Sequence, residues 1–250
     1  MKITFDIETV PCQWPDIAAE LAQTIHAPGT LKKAESISAW EAESKPALVL
    51  EAVAKTSFDG GLGQVVCIGW AIEEQPAQSL QAADLSAAAE ADMLREWFAI
   101  LISCHRGNSG MRPCLIGHNS NAFDLPFLWK RAMVLGIKPP MWFPRDPKPW
   151  GDTTFDTMTA WAGVRDRISM DRLCRVLGIP GKGDGPSGAD VWPMVQAGRV
   201  DDVAAYCRAD VDRTRAIYRR MTFVDEPPIR PAARLTVVPK APAAAESFEF

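Results

Sequence analysis

The sequence has few of the side chains that build zinc sites or disulfide frameworks. It contains three histidines, and its six cysteines include no Cys-x-x-Cys pair and no regular spacing. This composition argues against a zinc-binding module and against a small secreted domain held together by disulfide bonds. We therefore expect reduced thiols in a cytoplasmic protein without a zinc site.

Long apolar runs and an excess of positive charge are also lacking. No stretch approaches the roughly 20 apolar residues of a membrane-spanning helix, so no membrane association is expected. The formal net charge is -4 at pH 7, which is unlike proteins that bind nucleic acid through a broad basic surface. Any nucleic acid must therefore be held locally or through metal ions.

Strand and helix patterns alternate along most of the chain, which predicts a layered α/β domain. The clearest segments are strands at 2–11, 63–74 and 114–119 and helices at 86–105, 123–137, 169–179 and 199–221. We assign residues 1–225 to one domain, with 12–60 as a helical insertion between the first two strands. The Pro- and Ala-rich residues 226–250 are predicted to be a disordered tail.

Two segments near the end of the domain have weaker patterns. Residues 153–163 are interpreted as a further short strand, and residues 181–190 as a flexible loop. The loop has glycines but not the full spacing of a phosphate-binding P-loop, and it does not follow a strand. Lys182 in this loop is interpreted as a contact to a nucleic-acid backbone.

The first strand carries two carboxylates on one face. Side chains alternate along a strand, so Asp6 and Glu8 point the same way, opposite to Ile3, Phe5 and Ile7. Two neighbouring like charges in a low-dielectric environment need a partner or a proton. A purely structural carboxylate at a strand end therefore explains a single acid better than it explains this pair.

Two further acids occupy positions that an α/β fold could bring to the same place. Asp124 stands at a strand-to-helix junction, where an N-cap role is the alternative. Asp210 lies in the last helix with Tyr206 four residues earlier, so both share one helical face. A solvated acidic face is the alternative there, because Asp201, Asp202 and Asp212 lie nearby. Four converging carboxylates would favour oxygen-binding cations such as Mg²⁺ or Mn²⁺.

Three segments resemble the exonuclease motifs of the DEDD superfamily of 3′-5′ exonucleases, in the same order. These are FDIET, GHNSNAFDLPFL and YCRADVDRT, which together carry the four carboxylates. The Tyr-x-x-x-Asp form of the third motif is that of the tyrosine subclass. Asn119 and the FDLPFL segment are most similar to the proofreading exonuclease domain of family-B DNA polymerases, here without a polymerase domain. The resemblance covers roughly residues 1 to 222 and implies a ribonuclease-H-like α/β fold with a mixed central sheet flanked by helices.

The resemblance also implies roles for individual residues. Asp6, Glu8, Asp124 and Asp210 would hold two divalent cations, Mg²⁺ or Mn²⁺, and Tyr206 would orient the attacking water. Thr9, Asn119 and Phe123 would contact the terminal nucleotide. The substrate implied is the single-stranded or frayed 3′ end of DNA, and the product a nucleoside 5′-monophosphate.

Other interpretations remain open at this stage. The chain could trim RNA instead of DNA, or it could be a catalytically silent module that binds nucleic acid or a replication partner. Asp156 is either part of the site or a local backbone anchor, and His118 is interpreted as a packed, hydrogen-bonded histidine. The tryptophans, including Trp129, Trp142, Trp150 and Trp161, more often pack than stack on bases in such contexts.

Overall fold

The computed structural model describes residues 1–148 and 151–225. A five-stranded sheet forms the centre of the protein. Its strands are Lys2–Val10 (β1), Gln64–Ile72 (β2), Gln78–Gln81 (β3), Cys114–Gly117 (β4) and Thr154–Asp156 (β5). The helices are Ile17–Thr24 (α1), Ala34–Glu43 (α2), Lys45–Lys55 (α3), Ala87–Gly107 (α4), Asp124–Val134 (α5), Thr157–Ala162 (α6), Met170–Leu177 (α7), Val191–Gln196 (α8) and Val200–Met221 (α9), with short 3-10 helices at Thr56–Phe58 and Gly188–Asp190.

The sheet is mixed, with the strand order β3-β2-β1-β4-β5. β2 pairs antiparallel with both β1 and β3, whereas β4 pairs parallel with β1 and β5. The first strand therefore lies in the middle of the sheet, with a partner on each side. This is the α/β architecture with a mixed sheet and flanking helices that the sequence predicts.

The side chains of β1 separate into two cores. Ile3, Phe5 and Ile7 belong to a large core that includes buried residues of α4 and α5. The ring of Phe5 stacks on Trp97, with 6.2 Å between the ring centroids, and each such buried side chain stabilises the fold by about 1.5–3 kcal/mol. Val10 faces the opposite side, in a second core with residues of α8 and α9. The predicted alternation along β1 is therefore confirmed.

A buried ion pair connects α4 and α5 beneath the sheet. Arg131 donates to both carboxylate oxygens of Glu90, at 2.8 and 2.6 Å. Glu90 also accepts the amide of Val65 in β2 at 2.9 Å. Two parallel bonds to a carboxylate fix the geometry of both partners, so this pair sets the position of α5 relative to β2.

Individual side chains and a glycine define several helix ends. Ser169 caps α7 by accepting the amide of Arg172, and Gly178 ends that helix with a φ of 71°. Pro46 interrupts the helical pattern of the segment between β1 and β2, and it stands in the first turn of α3. That segment contains α1, α2 and α3.

The interpretation of residues 153–163 as a strand is wrong for most of its length. Only Thr154–Asp156 is a strand, and α6 begins at Thr157. The carboxylate of Asp156 accepts the amides of Met158 and Thr159 and so caps the new helix. The short elements β3 and α8 have no counterpart in the sequence prediction. Trp150 and the predicted tail, residues 226–250, lie outside the described residues. Within the described part of the chain, no helix is both long and apolar enough to cross a membrane.

Candidate active site

β1 presents Asp6 and Glu8 on the face of the sheet that α9 covers. Glu8 is buried and Asp6 is half-buried. One carboxylate oxygen of each lies within 4.8 Å of the other and of the Cys207 sulfur. The pairing of β1 with β2 shifts register between Glu8 and Thr9. Such bulges commonly re-aim side chains beside functional sites.

α9 brings the third motif onto the same face. Tyr206 and Asp210 are both buried, so they do not belong to a solvated acidic face. The helix approaches the sheet closely at Gly69, the residue of β2 that pairs with Asp6. A Cβ atom at Gly69 would lie 2.8 Å from the Cys207 sulfur. Glycine at this position therefore allows the helix to approach the carboxylates of β1.

Asp124 is the first residue of α5 and is buried. The N-cap of that helix is Phe123 and makes no side-chain cap bond, so Asp124 does not have the alternative N-cap role. Its Oδ1 instead accepts the amide of Ile7 in β1 at 3.2 Å. This bond holds the second-motif carboxylate next to the strand that carries the first-motif pair.

The four carboxylates repel one another in a buried setting. Burial raises the pKa of Asp6 well above its usual value, and the charges of Asp124 and Asp210 raise it further. Burial is also the main reason why the pKa of Glu8 is raised, with Asp6 and Asp210 adding to it. The pKa of Asp124 is raised to about 7, again mainly by burial. A cation or a proton is needed to hold this cluster together.

The donor atoms fit hard divalent cations. Carboxylate oxygens are the ligands that Mg²⁺ and Mn²⁺ prefer. The sulfur of Cys207 lies near the carboxylate oxygens of Asp6 and Glu8, and burial raises the pKa of the Cys207 thiol well above the usual value. The thiol therefore stays protonated and donates towards Asp6, with sulfur-to-oxygen distances of 3.6 and 3.8 Å.

Lys182 supplies a positive charge to this cluster. Its Nζ lies 2.7 Å from Oδ2 of Asp210, donates to the hydroxyl of Tyr206 and lies 4.4 Å from the centre of that ring. The loop that carries it is attached to α7, because the amide of Lys182 donates to Asp171 at 2.8 Å. The sequence predicts a contact between Lys182 and a nucleic-acid backbone, and it does not predict the contact of Lys182 with the carboxylates. The pairing depends on residues 24 and 28 positions away, which no sequence spacing indicates.

Tyr206 is a neutral hydrogen-bonding group in this environment. Burial raises the pKa of its phenol far above the usual value, and the charges of Glu8 and Asp210 add to the effect. The phenol therefore keeps its proton at neutral pH. In the metal-free protein the hydroxyl can therefore donate one hydrogen bond and accept others.

The loop of the second motif is held by Asp156. The carboxylate accepts the amides of Asn119 and Asn121 at 3.0 and 2.9 Å, and it caps α6. Asn119 has a φ of 64°, which is in the left-handed region. The hydrogen bond from its amide to Asp156 holds the backbone in this conformation. Of the two interpretations of Asp156, the structure supports the backbone anchor.

Thr9, Asn119 and Phe123 have different surroundings. The hydroxyl of Thr9 donates to the carbonyl of Ser57 at 2.8 Å, and the side-chain oxygen of Asn119 is buried without a hydrogen-bond partner in the described structure. Phe123 is half-buried beside Phe58. The contacts of Thr9, Asn119 and Phe123 with a terminal nucleotide stay a prediction.

His118 has partners on both ring nitrogens. Nδ1 lies 2.9 Å from the hydroxyl of Thr157, and Nε2 lies 3.0 Å from the carbonyl of Ile168. Burial lowers the pKa of the imidazole, so the ring is neutral at physiological pH. The structure therefore supports the interpretation of a packed, hydrogen-bonded histidine.

Comparison with solved structures finds a similar fold in a DNA polymerase. The fold is similar to the structure of the family B DNA polymerase from the hyperthermophilic archaeon Pyrobaculum calidifontis, with a TM-score of 0.54 and 15% sequence identity. The match covers 88% of this chain and 24% of the polymerase chain. At this identity the likeness concerns the fold alone, and it confirms the ribonuclease-H-like prediction. No curated protein matches the chain.

A family model matches residues 61–227, about two thirds of the chain. That range contains the second and third motifs, with Asp124, Tyr206 and Asp210, whereas Asp6 and Glu8 precede it. The structure places the strand that carries these two acids against the matched helices. The chain belongs to the family of predicted 3′-5′ exonucleases related to the exonuclease domain of PolB.

Proposed function

We propose that the protein is a metal-dependent 3′-5′ exonuclease that removes nucleoside 5′-monophosphates from single-stranded or frayed 3′ ends of DNA. Three observations support the proposal. Asp6 and Glu8 of β1 lie within 4.8 Å of one another and of the Cys207 sulfur of α9. Asp124 of α5 accepts the amide of Ile7 in β1, and the charges of Asp124 and Asp210 both raise the pKa of Asp6. A folded protein keeps such a cluster at a cost in stability, and strongly shifted acids of this kind are typical of active sites.

In this proposal the four acids hold two divalent cations. Asp6, Glu8, Asp124 and Asp210 would supply the carboxylate oxygens that bind these ions. When bound, the ions supply the charge that stabilises the entering and leaving oxygens of a phosphoryl displacement. The four acids lie on β1, α5 and α9, which hold the carboxylates in fixed positions. These positions and the ion-pair partners of the acids would determine where the charge of the ions is placed.

Tyr206 orients the attacking water in the proposed reaction. Its raised pKa supports this role, since a protonated phenol can donate to one oxygen and accept from another. Lys182 already donates to the phenol oxygen, which restricts the directions in which the hydroxyl can point. The hydroxyl is thereby aligned beside Asp210, four residues along the same helix.

DNA is proposed over RNA because the family is related to the exonuclease domain of a DNA polymerase. The choice of sugar rests on this relationship alone. We further propose a role in DNA replication or repair, supported by the same relationship. A cytoplasmic location is proposed from the cysteine pattern of the sequence. No protein partner is assigned.

The test is digestion of 5′-labelled single-stranded DNA and RNA of the same sequence with Mg²⁺, Mn²⁺ or EDTA. The proposal expects a ladder that shortens from the 3′ end of DNA, release of nucleoside 5′-monophosphate, and no product in EDTA. Asp210→Asn should abolish the ladder, whereas Asp212→Asn on an exposed part of the same helix should retain it. Shortening of RNA alone would favour an RNA-trimming enzyme. Binding of DNA without any product would favour the silent module.

A further inference from the structure

Phe58 is an exposed aromatic side chain at the edge of the carboxylate cluster. Its relative exposure is 72%, and its ring centroid lies 6.3 Å from that of Phe123. Phe123 directly precedes Asp124 in the chain and packs on Phe127, with ring centroids 5.5 Å apart. The rings of Phe58 and Phe123 therefore form adjacent aromatic surfaces that lead outwards from the cluster.

The two residues before Phe58 are attached to β1 and to the residues that follow that strand. The hydroxyl of Thr9 donates to the carbonyl of Ser57 at 2.8 Å, and the amide of Cys12 donates to the hydroxyl of Thr56 at 2.8 Å. These bonds connect the 3-10 helix of Phe58 to the strand of the first motif. The position of the ring is thus coupled to the position of the carboxylates.

The chain beyond Phe58 is held just as closely. The amide of Gly63 donates to the carbonyl of Asp59 at 2.7 Å, and a Cβ atom at Gly63 would lie 2.5 Å from the carbonyl oxygen of Thr56. The carbonyl of Gly60 accepts from the buried guanidinium of Arg131 at 3.4 Å. A glycine-dependent turn and a buried ion pair therefore present the ring to solvent on a fixed backbone.

A cavity of about 340 Å³ lies beside Phe58. Trp192 contributes a second aromatic side chain to its wall, and Thr9, Pro11 and Ser57 line it near β1. Its volume falls at the small end of the range for ligand pockets. The cavity, the exposed ring and the first-motif residue Thr9 are therefore parts of one surface.

We propose that Phe58 is a stacking platform for an unpaired nucleobase within the last three nucleotides of the 3′ end. The inference rests on the proposed exonuclease function, because that function brings a single strand to this cluster. An aromatic ring on a fixed backbone loses little freedom on binding, and any base offers a flat face to it. The rings of Phe58 and Phe123 are tilted by 59°, so each ring offers its own stacking surface.

The experiment uses a set of single-stranded oligonucleotides, each with one abasic nucleotide at one of the last three positions, and the intact strand. Wild type, Phe58→Ala and Phe58→Trp are compared by KM and kcat, and by anisotropy of the labelled oligonucleotide in EDTA. Phe223→Ala is the control, since Phe223 is also exposed, at 93%, but lies past the opposite end of α9. Melting temperatures check that each variant folds.

The inference expects one abasic position to raise KM of the wild type by about tenfold, in line with the measured contribution of base stacking. Phe58→Ala should raise KM on the intact strand by a similar factor and respond no further to that abasic position, with kcat little changed. Phe58→Trp should restore binding, and Phe223→Ala should match wild type. Equal KM values for wild type and Phe58→Ala on every strand would overturn the inference while leaving the exonuclease proposal intact. If no strand is shortened, the exonuclease proposal fails. In that case the anisotropy measurements alone test whether Phe58 stacks on a base.

Discussion

The ammonium of Lys182 lies 2.7 Å from the carboxylate of Asp210, inside the cluster that is proposed to hold divalent cations. Arg213 contacts the other oxygen of that carboxylate at 2.6 Å. Lys182 is mostly buried and comes from a loop, whereas Asp210 and Arg213 belong to α9. A side chain of the protein itself thus offsets part of the negative charge at this position.

Replacing Lys182 by Met should lower the stability of the metal-free protein. Asp210 would remain buried with one charged partner fewer, which costs about 2 kcal/mol by analogy with hydrogen bonds to charged groups. The same change should tighten binding of Mn²⁺ by roughly tenfold, because a competing positive charge is removed. Thermal melting in EDTA and calorimetric titration measure the two effects. The control is Lys148→Met, which alters an exposed ion pair and should change neither the melting temperature nor Mn²⁺ binding. Weaker Mn²⁺ binding by Lys182→Met would contradict competition between Lys182 and the cation.

Asp6→Asn should lower turnover by about 10²-fold or more, since it removes a proposed metal ligand. The melting temperature in EDTA should stay the same or rise, because burial and the charges of Asp124 and Asp210 already disfavour the Asp6 anion. A structural carboxylate would give the opposite pattern, with activity retained and stability lost. Turnover and melting temperature are therefore measured together, with the exposed Asp212→Asn variant as control.

The pattern of the sequence was sufficient to locate the acidic cluster but not its surroundings. Alternation along β1 and the offset of Tyr206 from Asp210 are local features, and local geometry carries over directly into a strand and a helix. Lys182 and Phe58 depend on contacts with residues far away in the chain, so their spacing carries no signal. Residues 153–163 were misread because a capping bond from Asp156 starts a helix where apolar and β-branched residues favour a strand.

The metal-free protein should lose stability as pH rises from about 4 to about 7. The pKa of Asp124 is raised to about 7 in the folded protein, above its unfolded value, so the folded state binds the extra proton. The resulting stability is complete below the unfolded pKa and is lost as pH rises through the folded one. Asp6 and Glu8, whose pKa values are also raised, act in the same direction.

Melting temperatures of wild type and Asp124→Asn, recorded in EDTA between pH 5 and pH 8 or so, measure this effect. The variant lacks the titrating group and should have a shallower decline with pH than wild type. Mg²⁺ should reduce the decline of the wild type by neutralising the ionised cluster. Parallel pH curves for the two proteins in EDTA would show that Asp124 does not titrate in this range.

Tyr206→Phe should lower kcat by about tenfold, less than the 10²–10⁴-fold associated with loss of a proton-transferring group. The reason is the raised pKa of the phenol, which keeps it protonated and limits it to orienting water. Removal of the hydroxyl also takes one acceptor from Lys182, while the ion pair of Lys182 with Asp210 remains. The pH dependence of kcat should therefore keep its shape in the variant. A loss as large as that of Asp6→Asn, together with a shifted pH profile, would mean that the phenol takes part in proton transfer.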